Sequence, residues 1–149
     1  MTTAIFWPTF ALVALVYAVL LMLGVKRFGY IRSNPPRRAD FASSAAMKSY
    51  FTPVSGPADN LSNLFEMPVL YFALVPLLLL FHHANHIQVA LAWLFVALRV
   101  AHSIVHIGGA RANVRFIIYF AGCIVLSVMW IGFAIDMAGA TSAAAANAL

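Results

Sequence analysis

The sequence predicts an all-α integral membrane protein, a single-domain bundle of four transmembrane helices. Of its 149 residues, 64% are hydrophobic and only 9% are charged, whereas a soluble domain carries roughly 25% charged residues. Four apolar runs each have the length that a bilayer-crossing helix requires, about 20 residues. The net charge of +5 is concentrated in the connections between these runs, which is a topology signal and not a sign of nucleic-acid binding.

The first predicted span covers residues 5–25, an uncharged run that ends at Lys26 and Arg27. A polar segment, residues 26–59, follows, and its basic residues outnumber its acidic ones. A Pro-Pro pair excludes a regular helix at that point of the segment. Loops of this length within compact proteins are often functional, and a loop that folds over a cytoplasmic opening of the bundle would fit.

Three further spans follow the loop. The second is predicted over residues 60–81 with a kink near Pro76, and a short connection joins it to the third, over residues 87–107, as a tight hairpin. Two glycines end the third span, and the fourth covers residues 116–135. Residues 138–149 are predicted to be a frayed, Ala-rich tail. Small residues along the fourth span allow close helix approach: Ala121, Gly122, Ser127 and Gly132.

The lysines and arginines other than Arg99 lie in the first loop and in the turn between the third and fourth spans. Two spans separate these segments, so both lie on one side of the membrane. The positive-inside rule places that side in the cytoplasm and both termini on the other side.

The third span carries ionisable residues inside its apolar run. Arg99, His102 and His106 are spaced by three and four residues and therefore share one helix face. An ionisable residue at membrane depth requires a polar partner or a wet cavity. The two histidines have the spacing of a metal-ligand pair, but no acidic residue or cysteine at helical spacing completes a set and the nearby arginines repel a cation. We therefore predict no metal site.

Polar residues of the other spans meet this face at the same end of the bundle. Asn63 and Glu66 lie at the start of the second span, and Arg115 lies at the start of the fourth. Glu66 is the natural ion-pair partner of Arg99, within one subunit or between two. The Asn63-x-x-Glu66 pattern also matches a helix capping box, so capping and ligand contact are both open for these two residues.

Two motifs in this order resemble the MAPEG family, the membrane-associated proteins in eicosanoid and glutathione metabolism. One is Asn63-Leu-Phe-Glu66-Met-Pro68; the other is Arg99-x-x-His102-x-x-x-His106 followed by Asn113-x-Arg115. The resemblance covers residues 5 to 137. It implies a four-helix bundle assembled as a homotrimer, with glutathione bound between neighbouring subunits near the cytoplasmic face and lipophilic substrates entering from the bilayer.

The resemblance also implies roles for individual residues. Arg115 matches the arginine that stabilises the glutathione thiolate and is the predicted catalytic residue. Arg99 matches an arginine paired with the glutamate, and His106 stands where a tyrosine is common, a variant that resembles bacterial-type members. The predicted glutathione-binding residues are Asn63, Glu66, His102, His106, Tyr119 and Arg99. The chain departs from the family at Asp59 and Ser62, where better-characterised members carry arginines.

The expected function is that of a glutathione-dependent transferase or peroxidase of the bacterial inner membrane, acting on lipophilic electrophiles or lipid peroxides. Glutathione would be its co-substrate, and the bilayer and two further copies of the chain its partners. An arginine beside the glutathione thiol, whose solution pKa is about 8.5, favours the nucleophilic thiolate. The alternative is a non-catalytic membrane scaffold or regulatory protein on the same fold. A channel is less favoured, because only one face of one span is strongly polar.

Overall fold

The computed structural model describes residues 3–109 and 111–146, and every regular element in those ranges is helical. Four helical segments are long and apolar enough to cross a membrane, as the four apolar runs predict. The long helices and the short helix of the loop are α1 (Phe6–Ser33), α2 (Ser44–Tyr50), α3 (Gly56–Leu64), α4 (Pro68–Leu80), α5 (His86–Ile107) and α6 (Ala112–Ala146). Single 3₁₀ turns occupy Thr3–Ile5, Arg38–Phe41 and Thr52–Val54.

Helix α1 continues well past the predicted end of the first span. The apolar run stops at Val25, but the helix runs through Lys26 and Arg27 to Ser33. Lysine and arginine are good helix formers, so a change from lipid to water does not by itself end a helix. The end comes at Asn34, which precedes a proline and leaves the helical region at φ −134° and ψ 79°, as residues before proline tend to do.

The segment after α1 is folded and packs back onto the extended end of that helix. Ser43 caps α2 by accepting a hydrogen bond from the backbone N–H of Ala46. The ring of Tyr30 on α1 lies 5.2 Å from that of Tyr50 and 6.4 Å from that of Phe51, centroid to centroid. Phe51 is only 5% exposed. This aromatic cluster fixes the loop beside α1.

The second span consists of two helices, because it is interrupted immediately before Pro68. Helix α3 ends at Leu64 and α4 begins at Pro68. Pro68 has no N–H to donate to the carbonyl four residues earlier, that of Leu64, so the hydrogen-bond ladder of α3 cannot continue across it. Helix α4 then continues through Pro76, so the interruption of the second span lies before Pro68, and the kink near Pro76 stays a prediction.

The capping-box interpretation of Asn63 and Glu66 is wrong. Asn63 lies inside α3, and Glu66 lies in the break. The residue that precedes α4 is Met67, whose side chain makes no capping hydrogen bond. Both polar side chains are therefore free of a capping role at this helix start.

The two turns of the bundle use ordinary helix-end chemistry. Asn85 caps α5 by accepting a 2.9 Å hydrogen bond from the N–H of Gln88. At the other end of α5, Gly108 is the C-cap residue and Gly109 has φ +73°, a left-handed conformation that glycine adopts without steric cost. Helix α6 continues to Ala146, into the segment predicted to be frayed, because alanine is the strongest helix former; residues 147–149 lie outside the described ranges.

Helices α5 and α6 pack closely through glycines of α6. A Cβ on Gly132 would lie 3.3 Å from Nε2 of Gln88, and this nitrogen donates a 3.0 Å hydrogen bond to the carbonyl of Met129. Gly122 lies against the guanidinium of Arg99. The small residues of the fourth span therefore serve close packing at these two positions.

The apolar core lies in the middle of the bundle and at the end opposite the α5–α6 turn. Tyr71 stacks on Phe95 at 5.2 Å, with an angle of 13° between the rings, and its hydroxyl lies 3.0 Å from that of Thr9. Near the end opposite the α5–α6 turn, Nδ1 of His83 lies 3.5 Å from a carboxylate oxygen of Asp136. This contact joins two residues that lie far apart in the sequence, so sequence analysis did not find it.

Replacing Gly122 with alanine should destabilise the fold. The new Cβ would overlap the Arg99 guanidinium and lie 2.9 Å from its Cζ atom, and overpacking of this kind costs about 1–3 kcal/mol. Thermal unfolding in detergent measures the effect. Gly24→Ala is the matched control, because nothing lies within 4 Å of its added Cβ. Equal stability of the two variants would contradict the close packing of Arg99 on α6.

Candidate functional site

An open cleft lies at the end of the bundle where α5 ends and α6 begins. Its volume is about 390 Å³, within the range of small-molecule sites, roughly 300–1,000 Å³. Three of the four spans contribute to it, each at the end that faces the α5–α6 turn. The lining residues are Asn63, Glu66, His102, His106, Ala112, Arg115, Phe116 and Tyr119.

His102 is the buried anchor of the cleft, with 4% of its surface exposed. Its Nδ1 lies 3.3 Å from the backbone carbonyl oxygen of Arg115. A carbonyl can only accept, so this nitrogen carries a proton and donates. The ring packs against those of His106 and Tyr119 at centroid distances of 5.4 and 5.6 Å. Its Nε2 is buried and has no hydrogen-bond partner in the described part of the chain, which leaves it available to a ligand.

Tyr119 connects the cleft to the cation beneath it. Its hydroxyl donates a 3.4 Å hydrogen bond to Oε2 of Glu66, and its backbone carbonyl accepts a 2.9 Å bond from Nη2 of Arg99. The Arg99 guanidinium also lies over two rings, 4.8 Å from the centroid of Tyr119 and 5.3 Å from that of Phe95. Cation–π contacts of this kind stabilise a desolvated guanidinium.

The predicted Arg99–Glu66 ion pair does not form within the chain. Across the described residues, the carboxylate of Glu66 is not within 4.0 Å of the Arg99 guanidinium; the side chain of Tyr119 contacts both groups, the carboxylate through its hydroxyl and the guanidinium through its ring. Arg99 is 1% exposed, and its Nε and Nη1 have no hydrogen-bond partner in the described ranges. The charge is therefore held by aromatic faces and one carbonyl, and not by a carboxylate of the same chain.

Arg115 is the cation at the mouth of the cleft. It lies in the first turn of α6 and is close enough to His102 and His106 to interact electrostatically with both. No carboxylate of the described part of the chain lies within ion-pair distance of it. The positive end of the α6 dipole adds to its field, so the arrangement favours an anionic ligand group.

The structure brings together all the residues predicted for the site except Arg99, which lies beneath the cleft and does not line it. Sequence reasoning missed Ala112 and Phe116. Each lies three residues before a predicted site residue on the same helix, Ala112 before Arg115 and Phe116 before Tyr119, and this spacing is the signal that identifies them. Asn113, part of the motif, is exposed and outside the cleft. The loop of residues 26–59 does not line the cleft, contrary to the expectation that it folds over it.

Within the described ranges, no group of three or more histidine, cysteine or acidic side chains is placed to hold a metal ion. Arg115 is a charged neighbour of both cleft histidines, and an arginine disfavours a bound cation. Hydrogen bonding to an anionic or polar organic ligand is the chemistry that these side chains offer.

Comparison with known proteins identifies the family. The sequence profile of the MAPEG family matches residues 5–135, most of the 149-residue chain. The chain belongs to the MAPEG family. This family includes glutathione transferases and peroxidases as well as non-catalytic members. No curated protein and no solved structure gives a significant match.

Replacing Arg99 with methionine tests how this buried MAPEG-family cation is held. Removing one partner of a buried ion pair typically costs ~3–5 kcal/mol, whereas an apolar replacement of a poorly paired charge is often neutral or stabilising. Because Arg99 has no carboxylate partner among residues 3–109 and 111–146, we expect Arg99→Met to leave the unfolding free energy unchanged or raised. Thermal unfolding in detergent measures it. A decrease of ~3–5 kcal/mol in the unfolding free energy, as for a broken buried ion pair, would show that a carboxylate of another subunit neutralises Arg99.

Proposed function

We propose that the protein is a membrane-bound glutathione-dependent transferase or peroxidase that acts on lipophilic electrophiles or lipid peroxides. The observation that carries this proposal is the position of Arg115 at the mouth of an open cleft, at one end of an apolar bundle. No carboxylate of the residues that the structure describes pairs with this cation. Such a site can hold a water-soluble thiol where substrates dissolved in the bilayer reach it. Membership of the MAPEG family supports the same class of activity.

The donor set of the cleft fits glutathione, which carries two carboxylates, one ammonium group and one thiol. Arg115, Asn63 and His106 supply donors for its anionic groups. Glu66 is exposed and its carboxylate accepts a hydrogen bond from Tyr119 at one of its two oxygens, so it retains acceptor capacity for the ammonium group. The residues present therefore match both signs of charge on the tripeptide.

Arg115 would act on the thiol. A nearby guanidinium and a helix N-terminus both favour the thiolate over the thiol, and the low dielectric of the membrane end strengthens their effect. The proton lost from sulfur passes to solvent through the open side of the cleft. His102 would hold Arg115 in place through the carbonyl contact, and Arg99 would act as a positioning residue through Tyr119.

In the transferase reaction, the thiolate attacks an electrophilic carbon. A carbon–sulfur bond forms, and either a leaving group departs with its electron pair or an activated double bond takes up a proton from solvent. In the peroxidase reaction, the thiolate attacks a hydroperoxide oxygen, the O–O bond breaks and the alcohol leaves after protonation. A second glutathione then displaces water from the sulfenic acid, giving the disulfide. Both reactions begin from the same thiolate.

The proposal includes assembly and location. The cleft is open on one side, and a neighbouring subunit of a homotrimer would close it. The basic loop and the α5–α6 turn lie at the cleft end of the bundle, and the positive-inside rule puts this end in the cytoplasm with both termini opposite. His106 in the place of a tyrosine supports a bacterial-type member, and hence the bacterial inner membrane.

A non-catalytic scaffold or regulatory role on the same fold is the second candidate. One specific observation favours it: Asp59 and Ser62 occupy positions where better-characterised family members carry arginines, so the chain offers fewer cations for the glutathione carboxylates. In this case, Arg115 would serve assembly, and its replacement would alter the oligomer and not a reaction.

The activity test compares Arg115→Ala with Arg111→Ala. Arg111 is an exposed arginine four residues earlier that does not line the cleft, so it controls for loss of positive charge at this membrane end. We expect Arg115→Ala to abolish glutathione conjugation to 1-chloro-2,4-dinitrobenzene and reduction of a lipid hydroperoxide, while Arg111→Ala retains them. Size-exclusion chromatography should show the same oligomer for both. Equal turnover of the two variants would rule out the role of Arg115.

Ligand-induced stabilisation provides a test that does not require the second substrate. Glutathione at ~100 times its dissociation constant should stabilise the wild-type protein by about 2.7 kcal/mol. We expect millimolar glutathione to raise the unfolding temperature of the wild type and of Arg111→Ala, but much less that of Arg115→Ala. An unfolding temperature that glutathione leaves unchanged in all three proteins would favour the non-catalytic candidate.

A further inference from the structure

A second pocket, which we name the loop pocket, lies between the extended end of α1, helix α2 and helix α3. Its volume is about 250 Å³, and it shares no lining residue with the cleft. Two cations, Arg27 and Lys48, and one carboxylate, Asp59, line it together with serine hydroxyls. The hydroxyls belong to Ser44, Ser55 and Ser62.

The charges of the loop pocket do not neutralise one another. Within the described ranges, neither Arg27 nor Lys48 lies within 4.0 Å of a carboxylate oxygen, and Asp59 has no basic group within that distance. The guanidinium of Arg27 lies 4.7 Å from the ring centroid of Phe51, and its Nε is shielded from solvent without a hydrogen-bond acceptor. A shielded donor without a partner is costly, and an anionic ligand atom would satisfy it.

An apolar groove continues from this pocket along the same seam between the first and second spans. We name it the seam groove; its volume is about 330 Å³, and its lining residues are Val13, Val16, Tyr17, Leu20, Phe65 and Phe72. On α1, Leu20 lies two turns before Arg27 on the same side of the helix, about 10 Å along the axis at a rise of ~1.5 Å per residue. On the second span, Phe65 follows Ser62 by one turn. The polar pocket and the apolar groove therefore lie end to end.

This order matches the depth of the two sites in a bilayer. The apolar run of α1 ends at Val25, directly before Lys26 and Arg27, so the loop pocket lies at the level of lipid headgroups and the seam groove at the level of acyl chains. A ligand with an ionic head and a hydrocarbon chain fits both parts at once.

We infer that the loop pocket and the seam groove together bind one phospholipid of the bilayer whose headgroup is zwitterionic with a primary ammonium group. Its phosphodiester contacts Arg27 and Lys48, its ammonium group contacts Asp59, and one acyl chain lies in the seam groove. Charge-assisted hydrogen bonds of this kind are the stronger ones in proteins. An anionic headgroup with hydroxyls in place of the ammonium group leaves Asp59 without a partner. This inference does not depend on glutathione binding in the cleft.

The test uses full-length protein purified in mild detergent and exchanged until lipid-free. Unfolding temperature is measured with added phosphatidylethanolamine, with phosphatidylglycerol, with glycerophosphoethanolamine and with inorganic phosphate. We expect phosphatidylethanolamine to stabilise most, phosphatidylglycerol less, and the two chain-free compounds only at far higher concentration. Native mass spectrometry should find one retained phosphatidylethanolamine per chain.

Variants separate the two parts of the site. Loss of a charged hydrogen-bond partner costs about 1.5–3 kcal/mol, so Arg27→Gln and Lys48→Gln should each weaken phosphatidylethanolamine binding by roughly tenfold or more. Lys48 is exposed, so its variant should fold even if that of Arg27 does not. Asp59→Asn should remove the preference over phosphatidylglycerol. Arg32→Gln is the matched control, because Arg32 is an exposed cation in the last turn of α1 that does not line the pocket.

Four outcomes would overturn the inference. Stabilisation by inorganic phosphate that equals that by the lipid would indicate a free-phosphate site. Loss of glutathione stabilisation in Lys48→Gln would assign the pocket to the thiol site. A change of oligomeric state in Leu20→Trp, without any lipid response of the wild type, would show that another copy of the chain covers the seam groove. Equal lipid binding by Lys48→Gln and Arg32→Gln would show that the pocket does not select the headgroup.

Discussion

The cleft end of the bundle depends on how one buried guanidinium is accommodated without a carboxylate. Arg99 is almost completely buried, and a full charge at membrane depth requires polar or polarisable neighbours. Its neighbours are the rings of Phe95 and Tyr119 and the carbonyl of Tyr119. The guanidinium can lie against the backbone of α6 because residue 122 is a glycine; a Cβ at this position would lie 2.9 Å from Cζ of Arg99. The charge thereby fixes the distance between α5 and α6.

This fixed distance has consequences one turn further along both helices. With α5 and α6 held together at Arg99, the ring of His102 lies against Tyr119 and its Nδ1 lies within reach of the Arg115 carbonyl. Tyr119, held by the same guanidinium, extends its hydroxyl towards Glu66. The interruption before Pro68 leaves Glu66 outside any helix, so its side chain is exposed at the cleft. The polar cleft therefore depends on two features: the packing of Arg99 against Gly122 beneath it, and the interruption of the second span before Pro68 beside it.

The fold was predictable because apolar length is a property of the sequence alone. Four runs of sufficient length give four helices whatever their packing, and the ordered motifs locate the polar residues at one end. Helix ends were less predictable: the end of the hydropathy run at Val25 marks a change of solvent, whereas α1 ends where proline chemistry stops it. The break before Pro68 lies inside an apolar run, so hydropathy does not mark it, whereas the missing N–H of the proline does.

Contacts between spans were the part that the sequence could not supply. From the sequence, Arg99 is paired with Glu66 because these are the opposite charges within the spans. The sequence does not show that Tyr119 contacts both of them. The contact of His83 with Asp136 was missed for the same reason, since the two residues meet only in the fold. The loop pocket requires three distant segments at once, and neither its enclosure nor its uncancelled charges are visible in a linear pattern.

Helix α3 lies between the cleft and the loop pocket, and its residue Asp59 contributes to the electrostatics of both. It lines the loop pocket and also interacts electrostatically with His106 of the cleft. A cationic group bound to Asp59 reduces the negative potential that this carboxylate exerts on His106, and so makes the histidine end of the cleft more attractive to an anion. Coupling between two binding sites is reciprocal. If the headgroup ammonium binds Asp59 and an anionic thiol compound binds the cleft, each therefore favours the other, and the lipid at the seam contributes to the electrostatics of the cleft without contacting its ligand.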